Sequence, residues 1–209
     1  MRNTIIRPFA EPEMWPEHAL SDVHRLREAL LELPEPVAQP FLVVLSGLPG
    51  TGKSYVSCKL AERLPCLIVS SDTMRKALFP SPVYDATENQ RLFAALHILI
   101  EELLSKNIAI LLDATNLVEH HRERLYCIVH RLRLKLIILR VEAPPEVVQE
   151  RLQARMAMGN ASQDSSNADF GVYLRMKARK QEIRRQHFAV DTSRDIAPVI
   201  EKIVRELRR

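Results

Sequence analysis

Residues 41–54 read FLVVLSGLPGTGKS: a short apolar strand pattern, then G-x-x-x-x-G-K-S, then the start of a helical pattern. No other feature of the chain limits its fold as strongly. Glycines at 47, 50 and 52 admit backbone angles that other residues resist. Successive N–H groups can then turn inward to form an anion nest, and the following helix adds the positive end of its dipole. Flanked by strand and helix, this is the context of a phosphate-cradling Walker A loop. Lys53 is then placed for the β- and γ-phosphates of ATP, and the Ser54 hydroxyl for Mg²⁺. The nucleotide-contacting stretch is Gly47, Leu48, Pro49, Gly50, Thr51, Gly52, Lys53, Ser54 and Tyr55.

Four further runs resemble the first in character: CLIVSS, AILLDA, LKLIILRVEA and HFAVDTS. They are short, apolar and rich in β-branched residues, as strands buried on both faces are. Helical patterns separate them, with Leu92, Leu96, Leu99 and Leu103 marking one helix and Ile196, Val199, Ile200, Ile203 and Leu207 the last. Strand–helix alternation predicts an α/β fold. The expectation is a P-loop NTPase three-layer sandwich with five parallel strands, a helical lid over about 144–172, and an N-terminal helical arm. Residues 1–40 form that arm: Val23, Leu26, Leu30 and Leu33 predict a helix over 17–33, and PEPVAQP (34–40) a stiff linker. The arm carries no motif, so packing or partner binding is its expected role. Residues 41–209 form the P-loop domain. AMGNASQDSSNADFG (157–171) predicts a mobile loop, and a basic helix is expected over 173–186.

Composition narrows the setting. The net charge of +4 is mildly basic and compatible with polyanionic partners. Cys58, Cys66 and Cys127 make no C-x-x-C, and no apolar run reaches membrane-spanning length or resembles a signal peptide. The expected location is the cytoplasm. A guanine-reading N-K-x-D is absent, and Ala114 follows Asp113 where motor ATPases carry a water-activating glutamate. These absences leave room for a phosphotransferase. His120 and His121 are adjacent on a helix, so surface positions are expected rather than metal ligation, and Trp15 is expected to pack in a core.

Three strand-end signals remain. In SSDTMRK (70–76), Asp72 can cap the next helix or act as base toward an alcohol, with Arg75 one turn on to hold an anionic acceptor. In AILLDATN (109–116), Asp113 ends a buried strand where ligands of open α/β sheets bind. It can join the Mg²⁺ shell, position the acceptor or serve structure alone, and Thr115 or Asn116 can cap the next helix. In PPEVVQERLQAR (144–155), Arg151 and Arg155 share a helix face. Over ATP they would neutralise the transferred phosphoryl group; otherwise they are surface arginines.

GLPGTGKS, SSDTMRK, LLDATN with Arg122 and Arg124 downstream, RLQAR and VDTS follow one another in this order. The series resembles the P-loop kinase family that includes the 5′-kinase domain of phage-type polynucleotide kinase and small kinases predicted in bacteria. Zeta toxins and chloramphenicol phosphotransferase are more distantly similar. The resemblance covers residues 41–194. It implies that Asp72 is the general base, that Arg75 holds the acceptor's own phosphate, and that Lys53 and Ser54 bind Mg–ATP. It also implies that Asp113 and Asn116 lie on the acceptor side, that Arg151 and Arg155 are lid arginines with Arg155 near the chemistry, and that Asp191 to Arg194 border the adenine. The implied reaction is γ-phosphoryl transfer to an alcohol, with a nucleic acid 5′-hydroxyl foremost. A nucleoside, sugar or antibiotic hydroxyl is the alternative acceptor, and an ATP-dependent switch engaging a partner through the 1–40 arm is the alternative class.

Overall fold

The computed structural model describes residues 17–30, 32–158 and 169–209. Five strands form one parallel sheet: β1 (Phe41–Ser46), β2 (Leu67–Ser70), β3 (Ile110–Asp113), β4 (Lys135–Glu142) and β5 (Phe188–Asp191), in the order β2-β3-β1-β4-β5. Every strand run read from the sequence is a strand. The helices are α1 (Glu17–Glu28), α2 (Lys53–Ala61), α3 (Ser71–Leu78), α4 (Ala86–Ser105), α5 (Glu119–Leu132), α6 (Pro145–Met158), α7 (Phe170–Arg179) and α8 (Ala197–Arg208).

Alternation along the central strands makes the three layers. Leu42 and Val44 of β1, with Ile110 and Leu112 of β3, face a core closed by α1, α3, α4 and α5. Val43 and Leu45 of β1, with Leu111 of β3 and Leu139 of β4, face the opposite core, closed by α2 and α8. Successive side chains of a strand point to opposite faces, so both faces must be apolar for this to hold.

The arm differs from its sequence reading in extent. Helix α1 ends at Glu28, short of the expected residue 33. Leu33 lies 47% exposed directly before Pro34, where helical backbone is disfavoured. Val23 and Leu26 are buried in the α4-side core, and buried Asp22 accepts two bonds from Arg91, from Nε at 3.0 Å and Nη2 at 2.7 Å. Arg25 donates to the Ala77 carbonyl at the end of α3. Trp15 and most of the expected 157–171 loop lie outside the described residues. The basic helix also stops early: α7 ends at Arg179, so Arg184 and Arg185 follow it in non-helical chain.

No helix among the described residues is long and apolar enough to cross a membrane.

Replacing Leu26, which is fully buried, by Ala is expected to cost about 2–5 kcal/mol in urea unfolding of the whole chain. A change below about 0.5 kcal/mol, typical of surface positions, would show that α1 is not part of the core.

Candidate functional site

The strand ends set the geometry. Ser70 of β2 and Asp113 of β3 are directly paired across the sheet, and β1 runs beside β3. The loops that leave these three strands therefore open at one edge. They line a cleft of about 1330 Å³, larger than the roughly 300–1,000 Å³ of ordinary single-ligand pockets.

The phosphate loop joins β1 to α2. Gly50 (φ 76°) and Gly52 (φ 85°) are left-handed, and Gly52 is the N-cap of α2. Gly47 is not, so its need for glycine is spatial: a Cβ there would lie 2.5 Å from the Val141 carbonyl oxygen. At Gly50 a Cβ would lie 2.9 Å from Val148 and 3.0 Å from Leu152, both on α6. At Gly52 it would lie 3.0 Å from the Thr192 hydroxyl. The loop is thus pressed by β4, α6 and the turn after β5. Lys53 Nζ donates to the Leu48 carbonyl at 3.1 Å, folded back over the loop. Ser54, in the first turn of α2, is exposed and lines the cleft with Tyr55.

Asp72 lines the cleft from the first turn of α3 but does not cap it. Ser70 is the cap, its hydroxyl accepting from Thr73 N at 3.5 Å. The carboxylate is thereby left without the capping duty that its position in the sequence allowed. Asp113 is 7% exposed and also lines the cleft.

Arg75 is 5% exposed and is engaged by the protein itself. Its Nη1 donates to Glu88 at 3.4 Å, its Nη2 to Asn89, and its guanidinium sits 4.9 Å over the Tyr84 ring. Glu88 in turn accepts from Val83 N (2.9 Å) and Tyr84 N (2.8 Å), while its own N–H donates to the N-cap Asp85 at 2.8 Å. This is a capping box whose glutamate reaches one and two residues further back. D-A-T-E at 85–88 carried that signal in the sequence; the partnership with Arg75 had none.

Neither Thr115 nor Asn116 caps α5, whose N-cap is Val118 without a side-chain bond. Asn116 (φ 42°) instead fastens the loop after β3 to β1: Nδ2 donates to Leu45 O at 2.7 Å, and its own carbonyl accepts from Ser46 Oγ at 3.0 Å. Arg122, fully buried, donates to the same Asn116 carbonyl, to Glu119, and to the Glu182 carbonyl at 2.8 Å. It clamps the chain that leaves α7 to the site, a role that spacing did not reveal.

On the far wall, Arg151 points both Nη atoms at Thr192, to its hydroxyl at 2.8 Å and its carbonyl at 2.9 Å. The Thr192 hydroxyl donates to Thr51 O at 2.8 Å. Arg151 therefore ties α6 to the turn after β5, and Thr192 ties that turn to the phosphate loop. Arg155, Arg175, Arg179 and Arg194 also line the cleft. Leu48, Val148, Leu152 and Tyr173 form a small core under α6 and α7, which seats the expected lid on the loop.

Of the two adjacent histidines, His120 is exposed as expected and His121 is not. His121 is half-buried with its ring 5.1 Å from Phe93, nearly parallel, and His120 is 4.7 Å away. Burial, with Arg124, His121 and His120 adding, pushes His97 down to about 3, so it is neutral at physiological pH.

Residues 42–183 match a family model described as an AAA domain. The chain belongs to this AAA domain family. It is 27% identical over 165 residues to the KTI12 homolog of Mus musculus, covering 76% of this chain and 45% of the relative, so it spans about half that relative's length. Among solved structures, Chaetomium thermophilum Kti12 in complex with ADP-AlF3 has a TM-score of 0.63 at 20% identity, covering 80% of this chain and 97% of the other. The Mycobacterium tuberculosis APS kinase in complex with AMPPNP and APS has a TM-score of 0.62 at 16% identity, covering 84% and 100%. The fold is that of P-loop kinases. Family membership is broader than the expected likeness to polynucleotide kinase and does not single out that group.

Gly50→Ala would force both a strained φ and an overlap with α6. The expected result is an intact fold with ATP affinity reduced by roughly 5- to 150-fold, the equivalent of about 1–3 kcal/mol of overpacking. Unchanged affinity by calorimetry would contradict the fit of α6 on the loop.

Proposed function

We propose that the protein transfers the γ-phosphoryl group of Mg–ATP to an alcohol, and that this alcohol is a polynucleotide 5′-hydroxyl. One observation carries the reading. The phosphate loop, Asp72 and Asp113 line a single cleft whose volume suits two ligands rather than one.

The site suits the metal that such a reaction uses. Ser54 and Asp113 offer oxygen ligands beside the loop, and Mg²⁺ takes one or two protein oxygens together with substrate phosphates. When bound, it would neutralise charge developing on the phosphates. The chain's own residues do the rest. The loop N–H groups and Lys53 hold the phosphates in the low-dielectric base of the cleft. Arg155 adds positive charge from α6, with Arg151 keeping that wall in register through Thr192. Asp72 accepts a hydrogen bond from the acceptor hydroxyl, orients it for in-line attack and takes its proton. Because Ser70 supplies the helix cap, Asp72 can be replaced without uncapping α3.

Arg175 and Arg179, exposed on α7, supply charge for a polyanionic acceptor, and the Tyr84 and Phe93 rings supply apolar surface for its bases. A second reading, a small-molecule alcohol, is favoured by Arg75: its engagement by Glu88 and Asn89 competes with any acceptor phosphate. The APS kinase of similar fold is complexed with such a small ligand beside its nucleotide analogue.

Transfer from γ-labelled ATP to 5′-hydroxyl RNA and DNA, beside nucleosides and sugars, tests both readings. The expected product is an end-labelled oligonucleotide, with KM rising steeply with salt. Asp72→Ala is expected to lower the rate by about 10²–10⁴ with ATP binding retained. Label only on a small alcohol, without salt dependence, would favour the second reading. ATP hydrolysis untouched by any acceptor and by Asp72→Ala would leave an ATP-dependent switch.

A further inference from the structure

Tyr84 sits in a conformation that an aromatic side chain rarely adopts. Its φ is 59°, in the left-handed region that favours glycine. Such a residue persists only where its surroundings over-determine it, and backbone held this way clusters at ligand-contacting sites. Here the over-determination is explicit. Glu88 accepts from the N–H groups of both Val83 and Tyr84, and Asp85 caps α4 immediately afterwards. Three hydrogen bonds to two carboxylates thus fix the backbone of a short turn on the cleft wall.

The turn displays apolar side chains. Val83 is 70% exposed and Tyr84 is 42% exposed, and both line the cleft. A turn whose purpose was only to connect α3 to α4 would gain nothing from a pinned, exposed tyrosine. One face of the Tyr84 ring is covered by the Arg75 guanidinium, 4.9 Å from its centroid. Arg75 is itself held by Glu88 and Asn89, so the ring is backed by a fixed plane rather than by a mobile side chain. The ring remains partly exposed beyond that contact. Its hydroxyl is pushed up by burial first, then by the Asp72 and Glu88 carboxylates, against the pull of Arg75, and it stays protonated at neutral pH. Asp72, the proposed base, lines the same cleft as the ring.

We propose that Tyr84 is the stacking plate for the terminal nucleobase of the acceptor, and that the Arg75–Glu88 pair is its support. This rests on the nucleic acid reading of the acceptor. It also gives Arg75 a use compatible with its burial: it holds the plate and does not itself grip the acceptor's phosphate. A base stacked there would bring its own 5′-hydroxyl toward Asp72. A sugar alcohol without a planar group would gain little from the ring, so Tyr84 would set preference for the nucleotide class of acceptor.

The test is equilibrium binding of a 5′-hydroxyl oligonucleotide carrying 2-aminopurine at its first position, with the full chain, Mg²⁺ and AMPPNP. Stacking on Tyr84 quenches the probe. The expected outcome is quenching by the native protein and by Tyr84→Phe, but not by Tyr84→Ala. The oligonucleotide should bind Tyr84→Ala about 5- to 150-fold more weakly, as loss of one base–aromatic stack predicts, while AMPPNP binds as before. In turnover the same variant should raise the acceptor KM and leave the ATP KM unchanged, a split that general misfolding would not produce. Quenching that survives in Tyr84→Ala, or an oligonucleotide that binds the native protein without quenching, would overturn the proposal. Binding and Tyr84-dependent quenching without phosphoryl transfer would overturn the transferase reading and leave the stacking plate standing. No oligonucleotide binding at all would overturn both.

Discussion

A phosphate nest is an unfavourable thing to build, because it gathers N–H groups that point the same way with no partner of their own. The backbone keeps that shape here because three glycines are each pressed by a different neighbour. Gly47 lies against the Val141 carbonyl of β4, Gly50 against Val148 and Leu152 of α6, and Gly52 against Thr192 after β5. The first two contacts are too close for a Cβ, and the third is tight at a φ of 85° that other residues rarely adopt. The sheet, the α6–α7 layer and the last strand are therefore positioned by one loop, and the loop is positioned by them. Arg151 and Thr51 meeting on Thr192 close that circle with polar bonds.

The two halves of the cleft are made of different material. The nucleotide half is backbone and glycine, with the dipole of α2 behind it, and tolerates little substitution. The half we propose for the acceptor is side chain: Asp72, then Arg75 held by Glu88 and Asn89, then Tyr84 on its pinned turn. Side chains can be exchanged without disturbing the sheet, so acceptor choice can vary on a fixed phosphate-binding frame. Resemblance in fold accordingly reaches to an APS kinase and to Kti12, which share only 16–20% of their residues with this chain, and such resemblance leaves the acceptor open.

Much of this frame was legible in the sequence because it depends on local pattern. Strands buried on both faces read as short apolar runs, and all five were found; G-x-x-x-x-G-K-S between a strand and a helix fixed the phosphate loop. Pairing between distant side chains left no such trace. Arg75 reads as a free cation until Glu88 and Asn89, thirteen and fourteen residues on, are seen to hold it. Arg122 reads as one more basic residue of a helix until the carbonyls of Asn116 and Glu182 are found around it. Asp72 reads as a good cap by composition, and only the geometry gave that duty to Ser70 instead. The end of α1 was misjudged for a simpler reason: leucine spacing continued to Leu33, but Pro34 did not permit the backbone to follow.

The central claim is that one cleft holds nucleotide and acceptor together. The most direct measurement is the affinity of a 5′-hydroxyl oligonucleotide for the full chain, with and without saturating AMPPNP and Mg²⁺. The account predicts a ternary complex, with oligonucleotide affinity equal or greater when the analogue is bound. Mutual exclusion of the two ligands would contradict it.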